Sequence, residues 1–182
     1  MGSTAAFVLG VCAGIATSVV AWYVPNRMLV PRWRVYGRQV STDRDGRRRD
    51  SFLVANDGFR DIVDASISCT MFSTAWGDGN RSLRSAVTIP VTQGRIDFMP
   101  GCGFLRRGRE QYGPRVVMIK PEDITEFQLS KLSEERRQRV QQGRVELAEL
   151  CSWGDESQVI VAVYGVDGFS GTRRVSQFPI PT

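Results

Sequence analysis

The sequence contains no histidine, and this absence excludes the commonest kinds of catalytic and metal site. Histidine is the most frequent general base, the usual switch near neutral pH and a common zinc ligand. Phosphate-binding motifs of the GxxxxGK[ST] kind, and GxGxxG after a strand, are missing too. The segment 168–171 places a serine between glycines without GxSxG spacing, so it predicts a turn between strands. We therefore predict a protein that is not an enzyme, with no catalytic residues and no cofactor.

Patterns that would bind a metal are also lacking. Asp61 and Asp64 are three residues apart at the start of a predicted strand, a spacing that points their side chains to opposite faces. Residues 77–80 lack the alternating acidic ligands and the terminal glutamate of a calcium loop. The four cysteines contain no CxxC pair, and an odd number of them (Cys69, Cys102 and Cys151) lies beyond residue 24. We predict no metal site, and reduced thiols rather than a disulfide framework.

Charged side chains are absent from residues 5–24, where Thr17 and Ser18 are the polar residues of a 20-residue run. At about 1.5 Å per residue, a helix of this length spans the roughly 30 Å hydrocarbon core of a bilayer. Trp22 and Tyr23 close the run, as aromatic residues do at a membrane interface, and Pro25 predicts the end of the helix. We predict a transmembrane helix over residues 1–24.

Small residues recur every four positions along this run, at Ala6, Gly10, Gly14 and Ser18. Residues four apart share one face of a helix, and a stripe of small side chains lets two helix backbones approach closely. Gly10, Gly14 and Ser18 are therefore the candidate packing residues of the membrane helix. The stripe predicts self-association of the chain.

The excess positive charge is confined to residues 25–50, where eight arginines and three aspartates give a net charge of +5. Its densest part consists of four arginines: Arg44, Arg47, Arg48 and Arg49. No lysine or arginine precedes the apolar run, so the positive-inside rule predicts the N-terminus outside and the remaining chain in the cytoplasm. The four arginines either set this orientation or also contact anionic lipid. A basic chain can bind nucleic acid when its charge lines a folded face, but this charge lies just after the apolar run, which offers a simpler explanation, so we predict no nucleic-acid partner.

The remaining sequence has mainly the period of two that is typical of β-strands. Strands are predicted at residues 51–55, 63–71, 86–91, 95–99, 115–119, 159–166 and 173–178. The first two are expected to pair through a turn at residues 56–58, and residues 159–166, apolar on both faces, predict a central covered strand. Residues 133–151 have helical spacing that Gly143 interrupts, which allows two shorter helices.

These patterns predict a mainly β protein: an N-terminal transmembrane helix followed by a β-sandwich with one helical insert. Its parts are a helix at residues 1–24, a basic juxtamembrane connector at 25–50 and a cytoplasmic domain at 51–182. The helical insert occupies about residues 133–151 of that domain.

Three stretches, in matching order, resemble the cytoplasmic domain of inward-rectifier potassium channels. Residues 52–56 and 62–67 are similar to the family's opening strands, in which a strand ending in Asn precedes one beginning Leu/Ile-Val-Glu-Ala. Residues 115–124 resemble the strand that leads into a Pro-Ile/Leu-x-Ile segment. Residues 158–178 resemble a long strand, a turn ending in Thr/Ser-Gly and a return strand. The resemblance covers roughly residues 52–178 and implies an immunoglobulin-like β-sandwich.

In those channels the domains assemble as tetramers, receive ligands and transmit the binding event to the pore. This chain departs from the family because it has one membrane helix instead of two and no TVGYG-type filter, so it cannot form that potassium pore. Residues 126–129 replace the family's histidine-containing stretch, and residues 133–151 form a longer helical insert. The resemblance therefore implies an architecture and assigns no ligand residues.

Together these observations predict a non-catalytic, single-pass protein of the cell membrane whose cytoplasmic domain acts in sensing or protein interaction. Its expected partners are the lipid bilayer, a second copy of the chain, and membrane or cytoplasmic proteins. One alternative is a subunit or accessory of an oligomeric ion channel or transport complex. Another is an exported β-sandwich domain with a cleaved signal peptide, for which Val19 and Ala21 would form the small-residue cleavage site, although the start of the chain lacks the basic residues of signal peptides.

Overall fold

A computed structural model describes residues 2–28, 31–42, 48–76, 84–101 and 113–180. The described chain is mainly β, with an N-terminal apolar helix followed by two antiparallel sheets. Helix α1 spans Gly2–Met28. The smaller sheet has the order β1-β2-β6, with β1 at Trp33–Thr42, β2 at Arg48–Asn56 and β6 at Arg115–Met118. The larger sheet consists of β3 (Ile62–Thr74), β4 (Arg84–Ile89), β5 (Arg95–Met99), β7 (Asp155–Asp167) and β8 (Arg173–Ile180). Its order is β4-β3-β7-β8, and β5 also pairs with β3.

Helical structure lies between β6 and β7. A 3₁₀ turn at Pro121–Asp123 precedes α2 (Glu126–Leu129), α3 (Glu134–Gln141) and α4 (Leu147–Ser152). The backbone of Gly143 has a φ of 64°, and this left-handed conformation ends the helical path between α3 and α4. Glycine adopts it readily, whereas other residues rarely do. The helical insert predicted at about residues 133–151 is therefore confirmed as two shorter helices.

The two sheets and the helices bury their apolar side chains in one core. Phe52, Val54 and Val117 reach it from the smaller sheet. The larger sheet contributes alternate residues of β3 and much of β7, while Leu147 and Leu150 enter from α4. Strand β7 lies between β3 and β8, so its predicted central position is confirmed, although Tyr164 on this strand is 42% exposed and the predicted cover is therefore incomplete.

The pairing predicted between residues 51–55 and 63–71 is wrong. Strand β2 pairs with β1 and β6, whereas β3 pairs with β4, β5 and β7. The turn after β2 is present, since the Asn56 side chain accepts from the Gly58 N–H at 3.0 Å and donates to the Arg60 carbonyl at 2.7 Å. This turn connects β2 of the smaller sheet to β3 of the larger sheet. Phe52 and Ile62 are therefore buried in the core from different sheets.

Two boundaries near the start of the chain also differ from the prediction. Helix α1 continues to Met28, three residues past Pro25, so the predicted end at residue 24 is wrong. Proline removes one backbone donor, a loss that a long apolar helix accommodates near its end. The predicted connector at residues 25–50 contains β1 and the start of β2. A register shift between Tyr36 and Gln39 breaks the alternation of β1, which explains why the sequence pattern did not predict this strand.

Candidate functional site

Helix α1 presents an uncovered apolar surface. It is the helix among the described residues that is long and apolar enough to cross a membrane, and no residue of its most apolar window, Ala6–Tyr23, is buried. A Cβ atom added at Gly10 or Gly14 would meet nothing within 4 Å, and Ser18 is exposed. The Thr17 hydroxyl donates to the Ala13 carbonyl at 2.8 Å, so this polar group is satisfied within the helix. The face predicted for helix packing is therefore free of contacts with the rest of the described chain.

Of the four arginines predicted to contact anionic lipid, Arg49 is the one whose side chain the structure describes. Arg44 and Arg47 lie outside the described residues, as does the side chain of Arg48. The Arg49 guanidinium donates to Glu122 Oε1, and only 9% of the Arg49 side chain is exposed. A buried and paired guanidinium cannot reach a headgroup, so the prediction of lipid contact is wrong for Arg49. Its partner lies 73 residues away in sequence, which is why the local charge pattern gave no sign of it.

The β1–β2 hairpin directs this part of the chain away from α1. Trp33 pairs with Asn56 at the end where the chain leaves α1, and Thr42 pairs with Arg48 at the other end. The nine residue steps of β1 correspond to roughly 30 Å along an extended strand. The residues that flank segment 43–47 therefore lie at the end of the hairpin farthest from Trp33, where the chain enters β1.

A different group of residues lies at the end near α1. Two turns meet there, residues 57–61 between β2 and β3 and residues 168–171 between β7 and β8, and we call them the helix-proximal turns. The Asp57 N–H donates to the Arg32 carbonyl at 2.8 Å, which fixes the first turn to the chain four residues beyond Met28, the last residue of α1. The Gly168 N–H donates to the Asp61 carbonyl at 3.0 Å and joins the second turn to the first. The predicted turn at 168–171 is confirmed by the bond from Gly171 N–H to the Asp167 carbonyl at 2.9 Å.

Charge and aromatic groups are combined in these turns. Arg60 Nη1 is 3.0 Å from Asp167 Oδ2, and the Arg60 guanidinium carbon lies 4.6 Å from the centroid of the Phe169 ring. Phe169 is 84% exposed and Phe59 is 48% exposed. Large apolar side chains at the tips of turns are unfavourable in water, and arginine stacking covers one ring only in part. The helix-proximal turns are thus an exposed apolar surface with cationic groups beside it.

The Asp167 carboxylate holds this arrangement in place. Burial tends to raise its pKa, but hydrogen bonds from the backbone N–H of Phe169, from Arg60 and from the backbone N–H of Ser170 outweigh burial and lower the pKa below the ordinary 3.8. The carboxylate is therefore ionised at neutral pH and orients both Arg60 and the turn that carries Phe169.

A groove of about 240 Å³ adjoins the second helix-proximal turn on the larger sheet. Its lining includes the aromatic side chain of Tyr164 and the basic side chains of Arg173 and Arg174. Asp64 lies at its margin and is paired with Arg95 at 2.9 Å, so within the described residues its charge is already compensated. The groove extends the cationic character of the helix-proximal end along the sheet. Asp61 and Asp64 have different partners: Asp61 Oδ1 accepts from the Gly101 N–H at 2.8 Å, and Asp64 pairs with Arg95.

The two buried thiols of the described residues, Cys69 and Cys151, are protonated at neutral pH. Burial is the main cause that raises the pKa of Cys69 to about 12 and that of Cys151 to about 11. Both thiols are free, as is the exposed Cys12 in α1, while Cys102 lies outside the described residues. Within the parts of the chain that the structure describes, no three acidic, cysteine or histidine side chains are grouped to hold a metal ion.

Comparisons with known proteins add no relationship to this geometry. No protein-family model matches the chain, and no curated protein matches it in sequence.

Sequence reasoning did not single out Phe59, Arg60 or Phe169, although a signal was available. Each phenylalanine stands directly after a glycine in a turn motif, at residues 58–59 and 168–169. Turn residues are usually small or polar, so a phenylalanine there indicates an exposed apolar side chain with a partner elsewhere.

Proposed function

We propose that this protein is a non-catalytic, single-pass protein of the cell membrane, with its N-terminus outside and its β-rich domain in the cytoplasm. In this proposal the domain acts in sensing or protein interaction. The observation that carries it is the uncovered apolar surface of α1. Water hydrates such a surface poorly, whereas a bilayer accepts a helix whose backbone hydrogen bonds are all internal.

The proposed orientation is supported by the distribution of charge. Residues 1–24 contain no basic side chain, and eight arginines follow within residues 25–50. Basic residues so close to a membrane helix are retained on the cytoplasmic side. Arg49 counts toward this charge although its side chain pairs with Glu122, because orientation is decided while the chain is inserted and before the domain folds.

We further propose that the domain is an immunoglobulin-like sandwich of the kind found below the pore of inward-rectifier potassium channels. Two observations support this. Two antiparallel sheets share one core, and the resembling segments fall on β2, the start of β3, β6 with its 3₁₀ turn, and the β7–β8 hairpin. A second candidate function, as a subunit or accessory of an oligomeric channel or transport complex, is favoured by the uncovered Gly10 and Gly14 face of α1.

Reporter fusions to the C-terminus test compartment and anchoring. Fusion of the full chain to a fluorescent protein that matures only in the cytoplasm is expected to give signal, and fusion to alkaline phosphatase is expected to give none. The reverse pattern would contradict the proposed orientation. Retention in the membrane pellet after alkaline carbonate extraction, with residues 1–21 still present by N-terminal sequencing, is the expected result for an anchor. Loss of those residues would instead identify an exported domain with a cleaved signal.

Stoichiometry and ion flux distinguish the two proposed roles. Affinity capture of the detergent-solubilised chain, followed by native mass determination, measures self-association and identifies bound proteins. Purified chain in a planar bilayer then tests conduction. Captured partners without conductance are the result expected for an interaction domain, whereas conductance by the purified chain would favour the channel role.

A further inference from the structure

We propose that the helix-proximal turns contact the bilayer that α1 crosses, with the side chains of Phe59 and Phe169 entering the headgroup region. This inference rests on the proposed membrane anchoring of α1 and adds a second contact between the protein and the membrane. The partner is the lipid surface itself, bound through its apolar boundary and its phosphate groups.

Chain connectivity brings these turns near the membrane. The last five residues of α1, 24–28, follow the apolar window, and they extend the helix by about 7.5 Å. Three Cα steps from Met28 to Pro31 add at most roughly 11 Å. The headgroup layer occupies about 5–7 Å of this distance. Arg32, the next residue, accepts the hydrogen bond from the Asp57 N–H, so the first turn is held a short length of chain from the headgroup layer.

The two turns act as one rigid surface. The Gly168–Asp61 backbone bond at 3.0 Å and the Arg60–Asp167 pair at 3.0 Å join them. Phe59 and Phe169 are consequently presented together, without a separate ordering cost for each turn when they meet the bilayer.

The chemistry of this surface matches a bilayer boundary. Phenylalanine side chains that are exposed in water gain free energy at the boundary between headgroups and acyl chains. Arg32 and Arg173 are exposed, and the pairing of Arg173 with Val166 places it beside the second turn. Guanidinium groups beside inserted aromatic rings can donate to lipid phosphates.

The opposite end of the fold provides a matched control. Phe127 in α2 is 80% exposed, nearly as much as Phe169. The neighbouring Gln128 carbonyl accepts from Trp76 Nε1 at 3.3 Å, just beyond the far end of β3. The twelve residue steps of β3 span roughly 40 Å, so Phe127 lies far from the helix-proximal turns.

Depth-dependent fluorescence quenching tests the contact. An environment-sensitive fluorophore is attached to a Ser170→Cys variant or, as the matched site, a Ser130→Cys variant, both in a full-length chain with Cys12→Ser and Cys102→Ser. Each is reconstituted in vesicles of phosphatidylcholine with nitroxide-labelled headgroups, with and without phosphatidylglycerol. We expect several-fold stronger quenching at position 170 than at position 130 in both vesicles. Equal quenching at the two sites would overturn the proposal, and so would quenching at 170 that requires phosphatidylglycerol, because insertion of phenylalanine needs no anionic lipid.

Substitutions assign the contact to the phenylalanines. Phe59→Ser with Phe169→Ser is expected to reduce quenching at position 170 to the level at position 130, and Phe127→Ser is expected to leave it unchanged. Phe59→Leu with Phe169→Leu keeps apolar side chains and is expected to retain the quenching, which separates insertion from a folding defect. Undiminished quenching in the serine variant would overturn the role of the two rings.

Failure of the inference is distinguishable from failure of the proposed function. A chain that resists carbonate extraction from the vesicles but shows no quenching at position 170 retains its anchor and overturns only the second contact. A chain that is extracted overturns the anchoring of α1, and with it the basis of this inference.

Discussion

The backbone N–H of Leu147, the first residue of α4, donates to the Asp50 carboxylate at 2.8 Å, across 97 residues of sequence. The other carboxylate oxygen of Asp50 accepts from Arg38 Nε at 2.5 Å. One buried side chain of β2 thus joins the neighbouring strand β1 to the helical insert. Since β1 is the first strand after α1, this carboxylate connects the hairpin that follows α1 to the rest of the domain.

Replacement of Asp50 is expected to destabilise the domain strongly. Asp50→Ala leaves Arg38 without its buried partner and the Leu147 N–H without an acceptor, so the free energy of unfolding should fall by about 3 kcal/mol. Asp123→Ala is the matched control, because Asp123 is exposed and pairs with Lys120 at 3.8 Å; it should change stability by less than about 1 kcal/mol. Denaturant titration of the full chain in detergent measures both. Similar losses in the two variants would show that the Asp50 network contributes no more than a surface pair.

Gly165 allows close packing between the two sheets. A Cβ atom at this position would lie 2.6 Å from Trp33 Cζ2 and 2.6 Å from Ile62 Cγ2. Gly165→Ala should therefore lower the free energy of unfolding by about 1–3 kcal/mol, the usual effect of overpacking, and shift the fluorescence of Trp33. At Gly94 the nearest atom to an added Cβ is 3.6 Å away, so Gly94→Ala should be close to neutral. A neutral Gly165→Ala variant would contradict the packing described between Trp33 and β7.

The buried thiols predict how stability changes at alkaline pH. Burial raises the pKa of Cys69 to about 12 and that of Cys151 to about 11, from 9.0 in the unfolded chain. Above pH 9 the unfolded chain releases these protons while the folded chain keeps them, so the stabilising contribution is complete below about pH 9 and declines as the pH rises toward 11–12. Denaturant titrations from pH 8 to 11 measure this slope. Cys69→Ala should make the slope shallower, and an unchanged slope would exclude Cys69 as its source.

The proposed self-association of the chain is expected to depend on the small face of α1. Gly14→Leu should weaken self-association by about 1–2 kcal/mol, because the added side chain separates the helix backbones. Ala16 lies two residues after Gly14, on the opposite face of the helix. Ala16→Leu should therefore leave association unchanged. Energy transfer between differently labelled chains in detergent micelles measures both variants. Equal transfer in the wild type and Gly14→Leu would place the contact elsewhere.

Strong local patterns explain which parts of the fold could be predicted from the sequence. The bounds of β5 were predicted as observed, and the predicted strands at residues 63–71 and 159–166 lie inside β3 and β7, where alternation or a continuous apolar run is clear. The partner of β2 could not be predicted. Strands that are neighbours in the sequence often pair, but β2 pairs with β1 in the smaller sheet, from which Phe52 is buried in the core.

Only the parts of the candidate site that lie within one short segment of sequence could be predicted. The apolar run of α1 and the turn at residues 168–171 are properties of short segments, and both are present. The pairing of Arg49 with Glu122, and the contact of Arg60 with Phe169, join residues that the sequence separates widely. A guanidinium in a basic segment is expected to be exposed, and only the folded chain shows which carboxylate covers it.

The position of β1 has a mechanical consequence for the proposed anchoring through α1. A pull transmitted through α1 reaches β1 at Trp33, and β1 pairs with β2 at the edge of its sheet. The force would break the interstrand hydrogen bonds between β1 and β2 one after another, starting at that end. Trp33, whose ring packs against Gly165 of the other sheet, is the first residue of β1 that such a force would pull from its contacts.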